Sequence, residues 1–233
     1  MSRDSWVLTQ HKREREETMA HKEIILKNPQ MDVKSAIVRI EGDGTLCLNQ
    51  MNARNKRLLM SDDRKKIKEV PNEYEDLITA INWRDPLPMK DTYAESTKEM
   101  LDSLLTNNAP CISAFGLKKS FDQAVVRNEI DTYSTKFDNA VNVVAVNGKI
   151  PIEFAQWSVD ERLMSPKKGA PLVVRLNHFD GWKASFRIDF TDHVYQLESI
   201  LNIINLAGFG LGIGSGRTSG YGRYHIVGVE VIK

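Results

Sequence analysis

Polar and apolar residues alternate from Val33 to Glu41 and place Ala36, Val38 and Ile40 on one face, which predicts a half-buried strand. Gly42-Asp43-Gly44 predicts a turn, after which Leu46 and Leu48 resume the apolar pattern. The period becomes helical between Leu117 and Arg127. There Leu117, Phe121, Ala124 and Val125 fall at i, i+4, i+7 and i+8, with Lys118, Lys119 and Asp122 facing outward. Val141 to Phe154 reads as a hairpin around Asn147-Gly148. Leu172 to Leu176 and Trp182 to Phe190 read as two more strands, and in the second Ala184, Phe186, Ile188 and Phe190 share a face. Thr191 or Asp192 is placed to cap a helix running to Ala207, with Val194, Leu197, Leu201 and Ile204 as its apolar stripe and Gly208 as its stop. Val227, Val229 and Val231 predict a last strand.

The order is therefore strand, polar stretch, helix, several strands, helix, loop, strand. It fits an α+β, ferredoxin-like β-α-β-β-α-β core. The alternation argues for an antiparallel sheet with one covered face, not a doubly wound parallel one. Residues 1–32 read as a polar leader, and residues 33–233 as a single domain with a helical insertion at about 49–110, interrupted by Pro71, Pro86, Pro88 and Pro110.

A net charge of +1 over 233 residues hides one asymmetry. Arg54, Lys56, Arg57, Arg64, Lys65, Lys66 and Lys68 face only Asp62 and Asp63 within the same segment, which reads either as a solvated helix face or as a polyanion-contacting surface. The two cysteines, Cys47 and Cys111, form neither a disulfide framework nor a zinc motif, so a reducing cytoplasm is expected. The N-terminus does not read as a signal peptide, and no apolar stretch approaches the roughly 20 residues of a membrane span. Neither a membrane nor a cofactor is expected as a partner.

Seven of the fourteen glycines lie between Gly208 and Gly222. Glycine clusters are entropically costly and mark backbone that takes positive φ or lies directly against something. The run holds Arg217, Arg223 follows it, and no Asp or Glu occurs between Glu198 and Glu230. A Walker A loop is excluded, because Leu211 stands where its first glycine belongs and a helix precedes the run instead of following it. No register satisfies a dinucleotide fingerprint either. Two readings remain. In one, successive N–H groups form anion nests and Arg217 and Arg223 add phosphate contacts. In the other, the glycines permit tight helix-to-strand packing, with Tyr221 and Tyr224 filling the sheet.

The arrangement Gly212-Ile213-Gly214, five residues including Arg217, then Gly220-Tyr221-Gly222 resembles the glycine-rich loop of the RAMP superfamily, the RNA-recognition-motif-like proteins of CRISPR systems. The tail Ser-Gly-Tyr-Gly-Arg-Tyr is similar to that of the backbone subunits that coat guide RNA. Leu46-Cys47-Leu48-Asn49, Trp182 and the terminal loop together resemble small stand-alone relatives encoded by bacteriophages. The resemblance covers roughly residues 33–48 and 112–233. It implies an RNA-recognition-motif-like antiparallel sheet and a single-stranded nucleic-acid ligand, RNA more than DNA. It further implies head-to-tail assembly as a homo-oligomer or within a CRISPR-type complex, and a host cytoplasm for a phage-encoded protein.

The expected binding set is Gly212, Gly214, Gly216, Arg217, Gly220, Gly222 and Arg223, with Tyr221 and Tyr224 stacking on bases, joined by Arg54, Lys56, Arg57, Lys65 and Lys66. Family members that cleave RNA without metal use a general-base histidine, often near the first helix. Here the histidines are His11, His21, His178, His193 and His225, so none falls in that helix. No carboxylate set has metal-ligand spacing. The sequence points to a non-enzymatic binder, with a metal-independent endoribonuclease or a phage mimic of an effector subunit as the alternatives.

Overall fold

The computed structural model describes residues 32–60, 72–87, 95–164 and 172–232. Nearly all of the polar leader, together with Arg64, Lys65, Lys66 and Lys68, lies outside the described residues. The strands are β1 (Val33–Gly42), β2 (Leu46–Leu48), β3 (Cys111–Ser113), β4 (Val141–Val144), β5 (Lys149–Glu153), β6 (Gln156–Met164), β7 (Leu172–Asp180), β8 (Lys183–Thr191) and β9 (Tyr224–Ile232). The helices are α1 (Ala53–Met60), α2 (Glu73–Ala80), α3 (Lys98–Asn107), α4 (Ala114–Arg127), α5 (Thr135–Ala140) and α6 (Leu197–Gly210).

The main sheet runs β3-β5-β8-β1-β9, with β4 also on β8. Taking β1, α4, β4, β8, α6 and β9 alone, the spatial order β9-β1-β8-β4 is antiparallel at every step. That is the ferredoxin-like α+β fold. Alternation in β1 and β8 produces it directly. Ala36, Val38 and Ile40 are fully buried, and Ala184, Phe186, Ile188 and Phe190 are buried beside them. Helix α4, capped by Ser113 Oγ accepting from Gly116 N, covers this face with Leu117, Phe121, Ala124 and Val125. Helix α6 packs beside it.

Asn147 and Gly148 do form a turn, both at positive φ. The strands flanking it do not form the expected hairpin with each other. Strand β4 pairs with Val144↔Arg187 through Val141↔Phe190, while β5 pairs farther along at Ile152↔Ala184 and Glu153↔Lys183. They dock in series on one edge of β8, because each gains a buried partner there that a free two-stranded hairpin lacks.

Four further expectations shift. Helix α6 begins at Leu197, and Gln196, not Thr191 or Asp192, is its N-cap, without a side-chain bond. Its buried face is Ile200, Ile203, Ile204 and Ala207; of the expected stripe only Ile204 is fully buried, Leu197 and Leu201 are partly buried, and Val194 precedes the helix. Gly208 does not stop the helix; it is a contact point, since a Cβ there would overlap the Tyr224 carbonyl oxygen. Asp122 does not face outward. It is buried between Lys118 at 3.3 Å and Lys119 at 3.7 Å, with Lys118 bridging to Asp138 at 2.6 Å and holding the Asp138 carboxyl below its usual pKa.

A second sheet, β2-β7-β6, was not expected from the sequence beyond β7 itself. Strands β6 and β7 pair from Gln156↔Asp180 to Met164↔Leu172. Buried Asn177 ties this sheet to α2, its amide donating to Leu77 O at 3.1 Å and accepting from Trp157 Nε1 at 3.1 Å.

Trp182 joins the turn after β1 to the core. It is fully buried, donates through Nε1 to Gly44 O at 3.0 Å, and meets Tyr224 edge-on at 6.2 Å. A Cβ at Gly42 would overlap its indole ring. Trp182→Ala is expected to cost about 3–5 kcal/mol, and Gly42→Ala roughly 1–3 kcal/mol by overpacking. Urea denaturation measures both; a wild-type midpoint for Gly42→Ala overturns the close packing.

Candidate nucleic-acid interface

The loop after α6 is held by main-chain bonds. Leu211 N and Gly212 N both donate to Ala207 O at 2.9 Å, and Gly212 takes the left-handed conformation that ends the helix. The loop then lies along β2: Ser215 N donates to Cys47 O at 2.8 Å and Gly222 N to Thr45 O at 2.9 Å. It closes on itself where Ile213 N donates to Gly222 O at 2.9 Å. A 3-10 turn, Arg217–Ser219, forms the tip and is closed by Ser219 N to Gly216 O at 2.8 Å and Gly220 N to Arg217 O at 3.1 Å.

Gly212, Gly214, Gly216, Gly220 and Gly222 all have positive φ. Crowding adds a second requirement at most of them. A Cβ at Gly214 would stand 2.5 Å from Cys47 O, one at Gly212 2.8 Å from Gly222 O, and one at Gly222 would overlap Ile213 O; at Gly216 it would meet the Tyr221 ring at 2.7 Å. Only Gly220 faces open space among these five. Tight packing thus accounts for most of the cluster. The N–H groups of Ile213, Ser215, Ser219, Gly220 and Gly222 are already bonded inside the protein, so those positions do not supply the expected anion nest.

The aromatic and basic residues divide sharply. Tyr224 is fully buried in the core, and burial pushes its hydroxyl pKa far up. This corrects the stacking role expected of it, because a buried ring offers no face to a base. Tyr221 is half-buried and engaged: its ring lies 4.9 Å from that of His178 and 5.1 Å below the Arg162 guanidinium, whose Nη2 also bonds the tyrosine hydroxyl. It staples the loop to the β6–β7 hairpin. Arg223 gives its carbonyl to Asp43 N at 2.9 Å; its side chain is half-buried, with Nη1 enclosed. Arg217 is half-exposed at the tip.

Arg54 and Arg57 do not form a polyanion surface either. Arg54 grips Asp76 at 3.1 and 2.7 Å, and Arg57 reaches buried Glu75 at 2.9 Å. They latch α1 to α2. The signal was present in Glu73, Glu75 and Asp76, a carboxylate cluster that follows the basic run in the chain. Lys56 is exposed, while Lys65 and Lys66 lie outside the described residues.

Beside the tip opens a cavity of about 390 Å³ between the loop, the chain following β2 and the first half of α4. Leu48, Leu117 and Ile213 form apolar wall, Asn82 and Gln123 bring amides, and Phe115, Lys119 and Arg217 also line it. No carboxylate lines it among the described residues. Cys111 borders it, with burial pushing its thiol pKa up to about 11, so it is not a nucleophile at neutral pH. Sequence reasoning missed Phe115, Lys119 and Gln123 as a site. Their i, i+4, i+8 spacing was visible, but nothing local showed that this ridge of α4 faces Arg217. No group of three His, Cys, Asp or Glu able to hold a metal occurs among the described residues.

No protein-family model and no curated protein matches the chain. Among solved structures it is similar to a chain of a Type III-B Cmr-beta complex bound to cognate target RNA. That pair shares 14% identity and a TM-score of 0.46, covering 86% of this chain and 61% of the other. It is also similar to Cmr6 from Pyrococcus furiosus, at 9% identity and a TM-score of 0.37, covering 83% and 98%. The fold class rests on the strand order described above, not on these distant likenesses. Among the described residues no helix is long and apolar enough to cross a membrane.

Two outcomes test the loop. Gly222→Ala is expected to lower the melting temperature far more than Gly220→Ala, which adds only the left-handed strain of about 1–2 kcal/mol; equal losses overturn the packing account. The second concerns His178, whose buried Nε2 has no hydrogen-bond partner and whose pKa is lowered by burial against the pull of Asp160. The unfolded chain therefore takes the proton first, and stability falls as pH drops below about 6.5. Melting curves between about pH 7.5 and 5.5 should show a steeper loss in wild type than in His178→Phe.

Proposed function

We propose that this protein binds single-stranded nucleic acid, RNA in preference to DNA, across the glycine loop and α4, and that it leaves the strand intact. The carboxylate-free cavity, flanked by Arg217 from the loop and Lys119 from the helix, is the observation that carries this reading. Arg217 and Lys119, the latter also 3.7 Å from Asp122, border one opening from different elements, where their charge attracts a phosphodiester. Preference for RNA follows the resemblance of the loop to that of the RAMP superfamily, as does alignment of copies along a longer strand. His178, packed on the Tyr221 ring, is nearly buried, and exposed His225 is bonded to Asp43 at 2.6 Å.

Anisotropy titrations of a labelled RNA at several salt concentrations test the reading. Arg217→Ala and Lys119→Ala should each weaken binding and reduce the slope of log affinity against log salt by roughly 0.7, the value for one phosphate on a single strand. Tyr224→Phe should leave both unchanged. Unaltered affinity and slope in both charge variants remove this face from the binding site. Metal-independent cutting of the strand at a defined position overturns the non-cleaving part, and complexes that keep one mass for all strand lengths overturn alignment.

A further inference from the structure

The cavity, about 390 Å³, is larger than a phosphate group fills, and its lining joins apolar side chains and amides to the cations. We propose that it receives one nucleobase of the bound strand, stacked on Phe115 and held at its edge by amide side chains, which makes it the position where the protein discriminates sequence. The proposal rests on the nucleic-acid reading above.

Phe115 is 75% exposed at the second residue of α4, an uncovered aromatic ring at the border of a cavity. Lys119 and Gln123 follow it at intervals of four, so the three form one ridge on the helix. The ridge carries a stacking surface, a cation and an amide in that order. Arg217 lines the same cavity from the loop, where it and Lys119 can hold the phosphate. Farther in, Leu48 and Leu117 offer the apolar contact that a purine or pyrimidine face needs.

Gln123 and Asn82 each present a donor beside an acceptor, the arrangement that pairs with a base edge in a bidentate manner. A cavity of about 390 Å³ falls within the roughly 300–1,000 Å³ range of small-molecule sites. With two cations and no carboxylate among the described lining residues, it suits an anionic ligand with a neutral head. A free nucleoside monophosphate has the same chemistry, so the experiment must separate the two sources.

The test compares a ribo-oligonucleotide with an abasic strand of equal length and charge, using wild type, Phe115→Ala and Gln123→Ala. Phe115 is mostly exposed, so its truncation leaves the core intact, and a thermal melt confirms folding. Phe115→Ala should weaken the base-bearing strand on the order of 5- to 150-fold, the loss of one stack, and leave the abasic strand unchanged. Phe115→Trp should restore binding. Gln123→Ala should alter the ranking of the four homopolymers without changing abasic affinity. Equal losses on both strands, or none, overturn the base pocket while the nucleic-acid reading stands. Wild type that binds neither strand overturns both. A mononucleotide that binds as tightly as the strand overturns the strand as the ligand source.

Discussion

Main chain pressed directly against main chain is the contact on which the C-terminal third depends. Gly214 lies on the Cys47 carbonyl, Gly222 on that of Ile213, and Gly208 on that of Tyr224. At each place a methyl group fills space that the neighbouring carbonyl already occupies. These approaches let α6 turn sharply into β9 while the connecting loop lies along β2. Since β2 belongs to the second sheet and β9 to the first, the loop is also the seam between the two sheets.

The candidate site follows from that seam. The loop is drawn onto β2, and it and α4 border one cavity that Arg217 also lines. Trp182 supports the same region from inside, pinning Gly44 and packing on Tyr224. On the far side, Tyr221 between His178 and Arg162 fastens the tip to the β6–β7 hairpin. Two ion pairs in the helical insertion are internal fasteners. Arg54 with Asp76 and Arg57 with Glu75 join neighbouring helices, and their charges are neutralised before any ligand arrives.

Strands that bury one face were legible, because a period of two is imposed by the pleat itself. Val33–Glu41 and Trp182–Phe190 therefore came out nearly as β1 and β8 do in the structure. The partner choice of β4 and β5 was not legible, since a turn fixes where a chain reverses and not which edge it then joins. Strand β6 was missed although Trp157 and Val159 alternate with Ser158 and Asp160; Glu161 and Arg162 interrupt the apolar period and gain their partners only through Arg175, Asp160 and Tyr221. For the site, the sequence singled out the loop and Arg217 but favoured base stacking for Tyr224 over a place in the sheet. A tyrosine beside arginine in a polar run gives no local sign that Trp182 awaits it in the core.

The glycines also decide when disorder is removed. An isolated segment with seven glycines in fifteen positions samples a very wide range of backbone shapes, and confining it opposes folding. In the folded protein its bonds to Ala207, Cys47 and Thr45 have already completed that confinement. On the proposed reading, a ligand meeting Arg217 need not order the anchored ends of the loop. The entropy of this stretch of sequence is lost on folding, ahead of any association.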